Sequence, residues 1–477
     1  MTKTKPMHAH LIGICGTAMA SLAGMLKERG YLVTGSDAAA YPPMSDFLAK
    51  LGLAVAQPFH ESNLRPRPDF VVVGNAISRG NVELEAALDL RLPLRSLPQL
   101  LHDEFLAGHE RLVVAGTHGK TTTSSLLAWL FSAGQRAASF LIGGIPENFG
   151  ASFQLGTGTE FILEGDEYDS AFFDKGPKFL HYFPDALILT SVEFDHADIY
   201  RNLDEIKTAF KRLVNLVPRR GVLIAWDGHP NVDDCVARAF CRVERYGFDE
   251  KSTWRIIEVD YRPDSTAWSV LHGGHSWGRF EFSLAGEYNV LNATAAAAMA
   301  WHYGIGVETI AEGLRAFRSV KRRLEVRSEA YGITVIDDFA HHPTAIAETL
   351  KALRTKYPGR RLWAILEPRS NTLRRCVFQK ELAQSLSIAD EVVLAGVFKL
   401  EVIPESERLH PEKLVEDLRQ GGARAQLLPT ADEIVDAIAP ELVEGDVVAV
   451  LSNGGFGNIY EKLPARLRDL HQVPAQA

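Results

Sequence analysis

The stretch RLVVAGTHGKTTTSSLLAWL, residues 111–130, constrains the fold more than any other part of the chain. A short apolar run enters a tight glycine turn and leaves into a helix-favouring run. Such strand–turn–helix units build parallel α/β sheets. The N–H groups of a glycine turn at a helix N-terminus converge on one anion, and the helix dipole favours negative charge there. The turn is shorter than the common phosphate loop G-x-x-x-x-G-K-[ST]. Five positions before Gly119 stands Val114, so Gly116 opens a tighter G-T-H-G-K-T. Lys120 can reach the β- and γ-phosphates, and the Thr121 hydroxyl can hold Mg²⁺. ATP or a close relative is the expected ligand; the alternative is a chance turn on a protein that binds no nucleotide.

Two further units have the same opening. HLIGICGTAMASLAGMLKERGYLVTGSD reads as strand, helix and a second strand ending at Asp37, and YGITVIDDFAHHPTAIAETLKALR again as strand, turn and helix. Three openings in 477 residues predict three α/β domains with mostly parallel sheets, over 1–108, 109–318 and 319–477. YGFDEKSTWRIIEVDYRPDSTAWSVLHGGHSWGRFEFSLAGEYN, rich in aromatics and short alternations, reads as a small antiparallel insert closing the central domain. The net charge of −9 leaves no basic surplus for a general nucleic-acid binder. Cys15, Cys235, Cys241 and Cys376 form no C-x-x-C pair, so a reducing cytoplasm is expected rather than a disulfide framework. The start MTKTKPMHAHLIGICG reads as a tail entering a strand, and no apolar run is long enough to cross a bilayer.

Several acidic and polar groups end strands, where α/β sheets gather their ligands. In EFILEGDEYDSAFFD, Glu164 ends a strand and suits Mg²⁺, while Asp166, Glu167 and Asp169 read equally well as a solvated loop. In ALILTSVEFDHADIY, Glu193, Asp195, His196 and Asp198 follow a strand, and His196 could bind a metal or relay a proton. Asn289 and Asn292 are expected to precede a helix, as N-caps or as base readers. In VKRRLEV, Arg322 and Arg323 are surface residues on composition alone, although arginine suits charge on a transferring phosphoryl group. Asp337, Asp338, His341 and His342 are read as lying near the nucleotide, because adjacent histidines rarely share one zinc. EPRSNTLRR, with Arg369 and Arg374, and LSNGGFGNIYEK should face the same cleft.

Together these segments resemble the Mur ligases, the ATP-dependent amide-forming enzymes of bacterial cell-wall synthesis. The likeness runs through GICGTAMASLAGML and GSD, then GTHGKTTT, EGDEYD, EFDHAD and YNVLNATAA, then RRLE, DDFAHHPTAI and SNGGFGN. It implies a Rossmann-like N-terminal domain, a central P-loop ATPase domain and a Rossmann-like C-terminal domain that closes over ATP. Gly116, Thr117, His118, Gly119, Lys120, Thr121 and Thr122 would hold the ATP phosphates. Thr121 and Glu164 would contact one Mg²⁺, with His196 at the family's metal-binding histidine position. Asn292 would meet adenine, Arg323 the γ-phosphate, and Asp338 and His342 the ribose and phosphates. Lys120, His196 and Arg323 are thus the implied catalytic set.

The first domain would hold a UDP-sugar through Gly16, Thr17, Ser36 and Asp37, and its Gly13–Gly16 spacing departs from the NAD pattern G-x-G-x-x-G. The segments SDAAAYPPMSDFLAKLG and EYDSAFFDKGPKFLHYFPDALILTSVEFDHADIY resemble those of the family's recycling members, which implies UDP-N-acetylmuramate as donor and the murein tripeptide L-Ala-γ-D-Glu-meso-diaminopimelate as acceptor, in peptidoglycan recycling. L-Alanine, in biosynthesis, is the alternative acceptor. Arg369 is the candidate for a diaminopimelate carboxylate. A carbamylated lysine, which some relatives carry, finds no match at Lys207 or Lys211.

Overall fold

The computed structural model describes residues 6–40 and 44–472. Residues 1–5 of the N-terminal tail, 41–43 within SDAAAYPPMSDFLAKLG and 473–477 of the third expected domain lie outside the described residues.

Three large sheets and one two-stranded ribbon, Asp169–Ala171 with Asp174–Pro177, organise the described residues. The first is wholly parallel, with spatial order Val55–Ala56, Leu32–Ser36, His8–Ile12, Phe70–Val73, Leu94–Ser96. His8–Ile12 is buried throughout, as a central strand of a two-sided sheet is, and its His8 and His10 are satisfied by hydrogen bonds to Thr34 and Glu83. The chain reverses its winding beside this strand, which opens a crevice at its carboxyl end. There Gly13 turns with φ 83°, and the helix Thr17–Glu28 starts directly after Gly16.

The central sheet has ten strands, and its middle positions the loop. Glu110–Ala115 lies between Ala186–Leu189 and Glu160–Gly165, all parallel, with Ala115 facing Leu189 on one side and Gly165 on the other. The three carboxyl ends therefore deliver Gly116, Glu164 and Thr190 side by side. The aromatic segment is antiparallel and closes one end of the central unit. Its antiparallel strands Trp254–Tyr261, Thr266–His272 and His275–Phe282 continue the same sheet, because Trp254 and Arg255 pair with Tyr246 and Gly247. Buried Trp254 and Trp268 join that edge to the core shared by the central strands and the loop helix. Asn289 and Asn292, by contrast, do not precede a helix: both lie inside Glu287–His302, which Gly286 caps with φ 96°. The alanine-rich run of that helix is buried against the loop helix Lys120–Ala133, as small side chains permit.

The third sheet runs Glu325–Ala330, Ile333–Asp338, Val447–Leu451, Leu362–Leu366, Glu391–Ala395, Arg424–Leu428, antiparallel at the first pair and parallel thereafter. The connector before it is stitched to the central unit: Lys321 N–H donates to Ile145 O at 3.0 Å and Glu147 N–H to Ser319 O at 3.0 Å. Among the described residues no helix is long and apolar enough to cross a membrane, and the four cysteines are free.

Candidate active site

The loop is braced by its own backbone and by the neighbouring strand end. Gly116 takes φ 141° and Gly119 φ 81°, conformations that disfavour a side chain. Residues 190–191 brace it from the neighbouring strand: Thr117 N–H donates to Ser191 O, His118 N–H to Ser191 Oγ and the Thr190 hydroxyl to His118 O, at 2.8, 2.9 and 2.5 Å. The Lys120 ammonium donates to Gly116 O at 2.7 Å, Thr117 O at 3.2 Å and Glu167 Oε2 at 2.8 Å. Burial alone would lower the Lys120 pKa, but Glu167, Asp166 and Glu164 outweigh it and hold the group above its ordinary value.

The acids divide into two groups. The Thr121 hydroxyl donates to Glu164 Oε1 at 2.8 Å, and Gly143 N–H donates to Glu164 Oε2 at 2.7 Å. Burial, opposed by Lys120, leaves the Glu164 pKa raised. Asp166, Glu167 and His196 form the second group, with ligand atoms all within 4.8 Å of one another. His196 Nε2 stands 3.1 Å from Glu167 Oε1, and Glu167 and Asp195 lift the imidazole to about 9 against the pull of burial. His196 is thus brought to Asp166 and Glu167, and Lys120 links that pair to the loop. Glu167 therefore matters more than its even reading in the sequence suggested. The donors are hard oxygens with one imidazole, a set that suits Mg²⁺ or Mn²⁺.

Asn292 stands over the loop: a Cβ on Gly119 would meet its Oδ1 at 2.5 Å, and its Nδ2 is buried without a hydrogen-bond partner. Asn289 differs, since its Nδ2 donates to Ala285 O at 2.8 Å. Arg322 is tied within the third unit, to Asp337 at 3.2 Å and to the Ser452 carbonyl at 2.6 Å. Arg323 makes no side-chain hydrogen bond among the described residues, and its guanidinium lies 5.3 Å from the Phe339 ring centre. Asp338 is occupied: it accepts from Leu324 N–H at 2.8 Å, Ala340 N–H at 2.9 Å and the Thr349 hydroxyl at 3.2 Å.

His342 joins the third unit to the loop. Its ring lies tilted at 46° to that of His118 with ring centres 4.7 Å apart; it donates from Nε2 to Phe194 O at 3.1 Å and caps its own helix by accepting from Thr344 N–H. Glu193 accepts the Thr344 hydroxyl at 2.6 Å; burial opposes ionisation, but His118 and Thr344 hold the carboxyl at about 2. His118, Glu193 and His342 lie close enough to suggest a metal, yet Thr344 already engages both Glu193 and His342, so the cluster is a docking contact. Burial and His118 press His342 down to about 4. A histidine with a depressed folded pKa stabilises above its unfolded value, near 6.5, and that stability disappears as pH falls towards 4. Thermal unfolding should therefore show wild type losing up to about 3 kcal/mol between pH 6.5 and 4 through this group. His342→Gln should show a shallower slope over the same window, and equal slopes would contradict the assignment.

In the first unit, Ser36 O accepts from Gly13 N–H and Ile14 N–H at 2.9 and 3.0 Å, and Asp37 accepts from Cys15 N–H at 2.9 Å. Gly16, Thr17, Ser36 and Asp37 therefore share one crevice, although the buried Ser36 hydroxyl is committed to Glu83 at 2.6 Å. Arg369 lies 3.9 Å over the Phe398 ring, on a cavity of about 530 Å³. Arg374 is spent on the Phe398 and Lys399 carbonyls, at 3.3 Å each. Lys207 and Lys211 pair with Asp234 on the surface, at 2.5 and 2.9 Å. Sequence reading missed Gly143, Thr344, Asn371 and Thr372; the glycine pair in LIGGIP was the available signal for the first.

Residues 8–108 match the Mur ligase family catalytic domain, 114–300 the Mur ligase middle domain and 322–454 the Mur ligase glutamate ligase domain. The chain belongs to the Mur ligase family, ATP-dependent ligases that form ADP. It is 43% identical, over 96% of its length and 97% of the relative's, to the UDP-N-acetylmuramate–L-alanyl-γ-D-glutamyl-meso-2,6-diaminoheptandioate ligase of Escherichia coli (strain K12). A murein peptide ligase structure from Psychrobacter arcticus 273-4 matches with TM-score 0.76 and 36% identity, covering 98% of this chain and all of that one. The UDP-N-acetylmuramate–L-alanine ligase of Desulfitobacterium hafniense (strain Y51) is 30% identical over 96% of this chain and 98% of its own.

Proposed function

We propose that the protein joins L-Ala-γ-D-Glu-meso-diaminopimelate to UDP-N-acetylmuramate at the expense of ATP, in peptidoglycan recycling. The observation that carries this reading is the 43% identity, over nearly both whole chains, to a ligase named for those substrates, against 30% to a ligase named for L-alanine. The UDP-sugar would lie in the crevice at Gly16, Thr17, Ser36 and Asp37. ATP phosphates would lie on residues 116–122, adenine at Asn292, and the ribose near His342. Asp338 would act there by shaping the turn, since its oxygens are already engaged. The tripeptide would enter by Arg369, whose carboxylate partner at present is Glu367 at 3.4 Å.

A carboxylate is a poor electrophile, so its oxygen first attacks the γ-phosphate, the bond to the β-phosphate breaks, and ADP leaves behind an acyl phosphate. The peptide amine then attacks the carbonyl, and phosphate leaves with that oxygen. In this account Lys120 neutralises the transferring phosphoryl group, and Arg323 approaches the same charge from the third unit. Thr121 with Glu164, and His196 with Asp166 and Glu167, would hold Mg²⁺, which when bound screens the phosphate charge. The third unit, docked through His342 and Thr372, would limit the access of water to the transferring group.

The test follows the atoms. With ¹⁸O in the lactyl carboxylate of UDP-N-acetylmuramate, mass spectrometry should find a new amide and one labelled oxygen in each released phosphate. Amide formation without label in phosphate would contradict the acyl-phosphate route, and no amide with the tripeptide would contradict the substrate assignment.

A further inference from the structure

His196 stands on the central unit in a left-handed backbone conformation, with φ 55°. Such a conformation is uncommon for a residue with a side chain and is kept where its surroundings restrain it. The restraint comes partly from the third unit. The Thr372 hydroxyl donates to Asp195 Oδ1 at 2.5 Å, and the same oxygen accepts the His196 N–H at 2.7 Å. On the far side of the histidine, Ala197 N–H donates to Thr372 Oγ1 at 3.4 Å. One hydroxyl thus engages both neighbours of His196. The restraint is dry, since Thr372 is 1% and Asp195 4% exposed. Next to it Asn371 donates to Asp198 Oδ2 at 2.7 Å, while the Tyr168 ring lies edge-on to the His196 ring at 4.9 Å. From the central unit itself, His196 O accepts Ile199 N–H and Tyr200 N–H at 2.9 and 3.0 Å.

We propose that Thr372 is a positioning residue: its hydroxyl, supplied by the docked third unit, fixes the backbone turn that aims the His196 imidazole at Asp166 and Glu167. The inference rests on reading those three residues as a divalent-cation site. Docking of the third unit and completion of that site are then one event. Thr372 lies in the same short loop as Arg369 and Asn371, so whatever binds the cavity beside Arg369 acts on the loop that holds His196.

The experiment measures Mn²⁺ binding to the full-length protein without nucleotide or substrate, through the electron paramagnetic resonance signal of the free ion. Thr372→Val keeps the branched shape and removes the hydroxyl; Thr372→Ser restores a hydroxyl. Because the lost hydrogen bonds restrain the ligand through a charged group, Thr372→Val should bind Mn²⁺ roughly tenfold more weakly. Thr372→Ser should bind within about twofold of wild type, a rescue that loss of packing alone would not give. Thr372→Val binding like wild type overturns the inference, as does equal weakening in both variants. A wild type that binds no Mn²⁺ overturns the cation-site reading and this inference with it. A wild type that binds Mn²⁺ as expected but joins no tripeptide contradicts the substrate assignment alone.

Discussion

Lys120→Met lowers turnover by roughly a thousandfold, the order lost when a preorganised donor to a developing charge is removed. Its ammonium is held by two loop carbonyls and by Glu167, so its position is fixed before any phosphate arrives. Methionine fills the volume and removes the charge, and Glu167, 2% exposed, then keeps only His196 as a close cationic partner. The cost in stability, at most about 3 kcal/mol, is softened because the carboxyls around it can take up a proton. Glu164, with its pKa already raised, should be the first to do so. Lys120→Arg should not restore activity, since a planar fork does not match a cradle built for a point charge. Steady-state turnover together with nucleotide titration separates the effects. Retention of more than about a tenth of wild-type turnover would contradict the role.

The second large effect is expected at Gly116. A Cβ there would stand 2.1 Å from Thr190 Oγ1 and 2.8 and 2.9 Å from the Ser191 backbone, at φ 141°. Thr190 and Ser191 are the residues that brace the loop, so neither can yield without releasing it. Gly116→Ala should cost about 3 kcal/mol, from overpacking added to backbone strain. Spent on the loop, that amounts to roughly a hundredfold in nucleotide affinity. Gly108→Ala is the control: φ is 79° with open space around it, so only the left-handed penalty of about 1–2 kcal/mol applies, away from the site. Equal nucleotide affinity in the two variants would contradict the argument.

Local rules made much of this legible. A strand, a glycine turn and a helix can be read within twenty residues, so the loop at Gly116, the crevice at Gly16 and the turn at Asp338 were all visible. Glu164 was visible because it ends a strand. What failed was pairing between distant segments. The aromatic strands alternate as an isolated meander would, and nothing in their period reveals that Trp254 pairs with Tyr246. Asn289 and Asn292 look like caps, but the left-handed Gly286 starts that helix earlier. Asp166, Glu167 and Asp169 are alike in sequence, and only folding brings Glu167 under Lys120 while Asp169 pairs with exposed Lys175. Thr344 and Thr372 carry no signal, because a threonine acquires its role from the carboxylate opposite it. The preference for Arg323 over Arg322 came from family resemblance, and the geometry supplies a reason: Arg322 is anchored to its own sheet, whereas Arg323 keeps its donors.

The central claim is tested most directly by the acceptor. Phosphate release would be followed with UDP-N-acetylmuramate, ATP and Mg²⁺, comparing the tripeptide with free L-alanine at equal concentrations. The account predicts turnover with the tripeptide and none above background with L-alanine. Turnover with L-alanine and none with the tripeptide would contradict it, leaving the fold and the phosphate chemistry in place but moving the enzyme from recycling to biosynthesis.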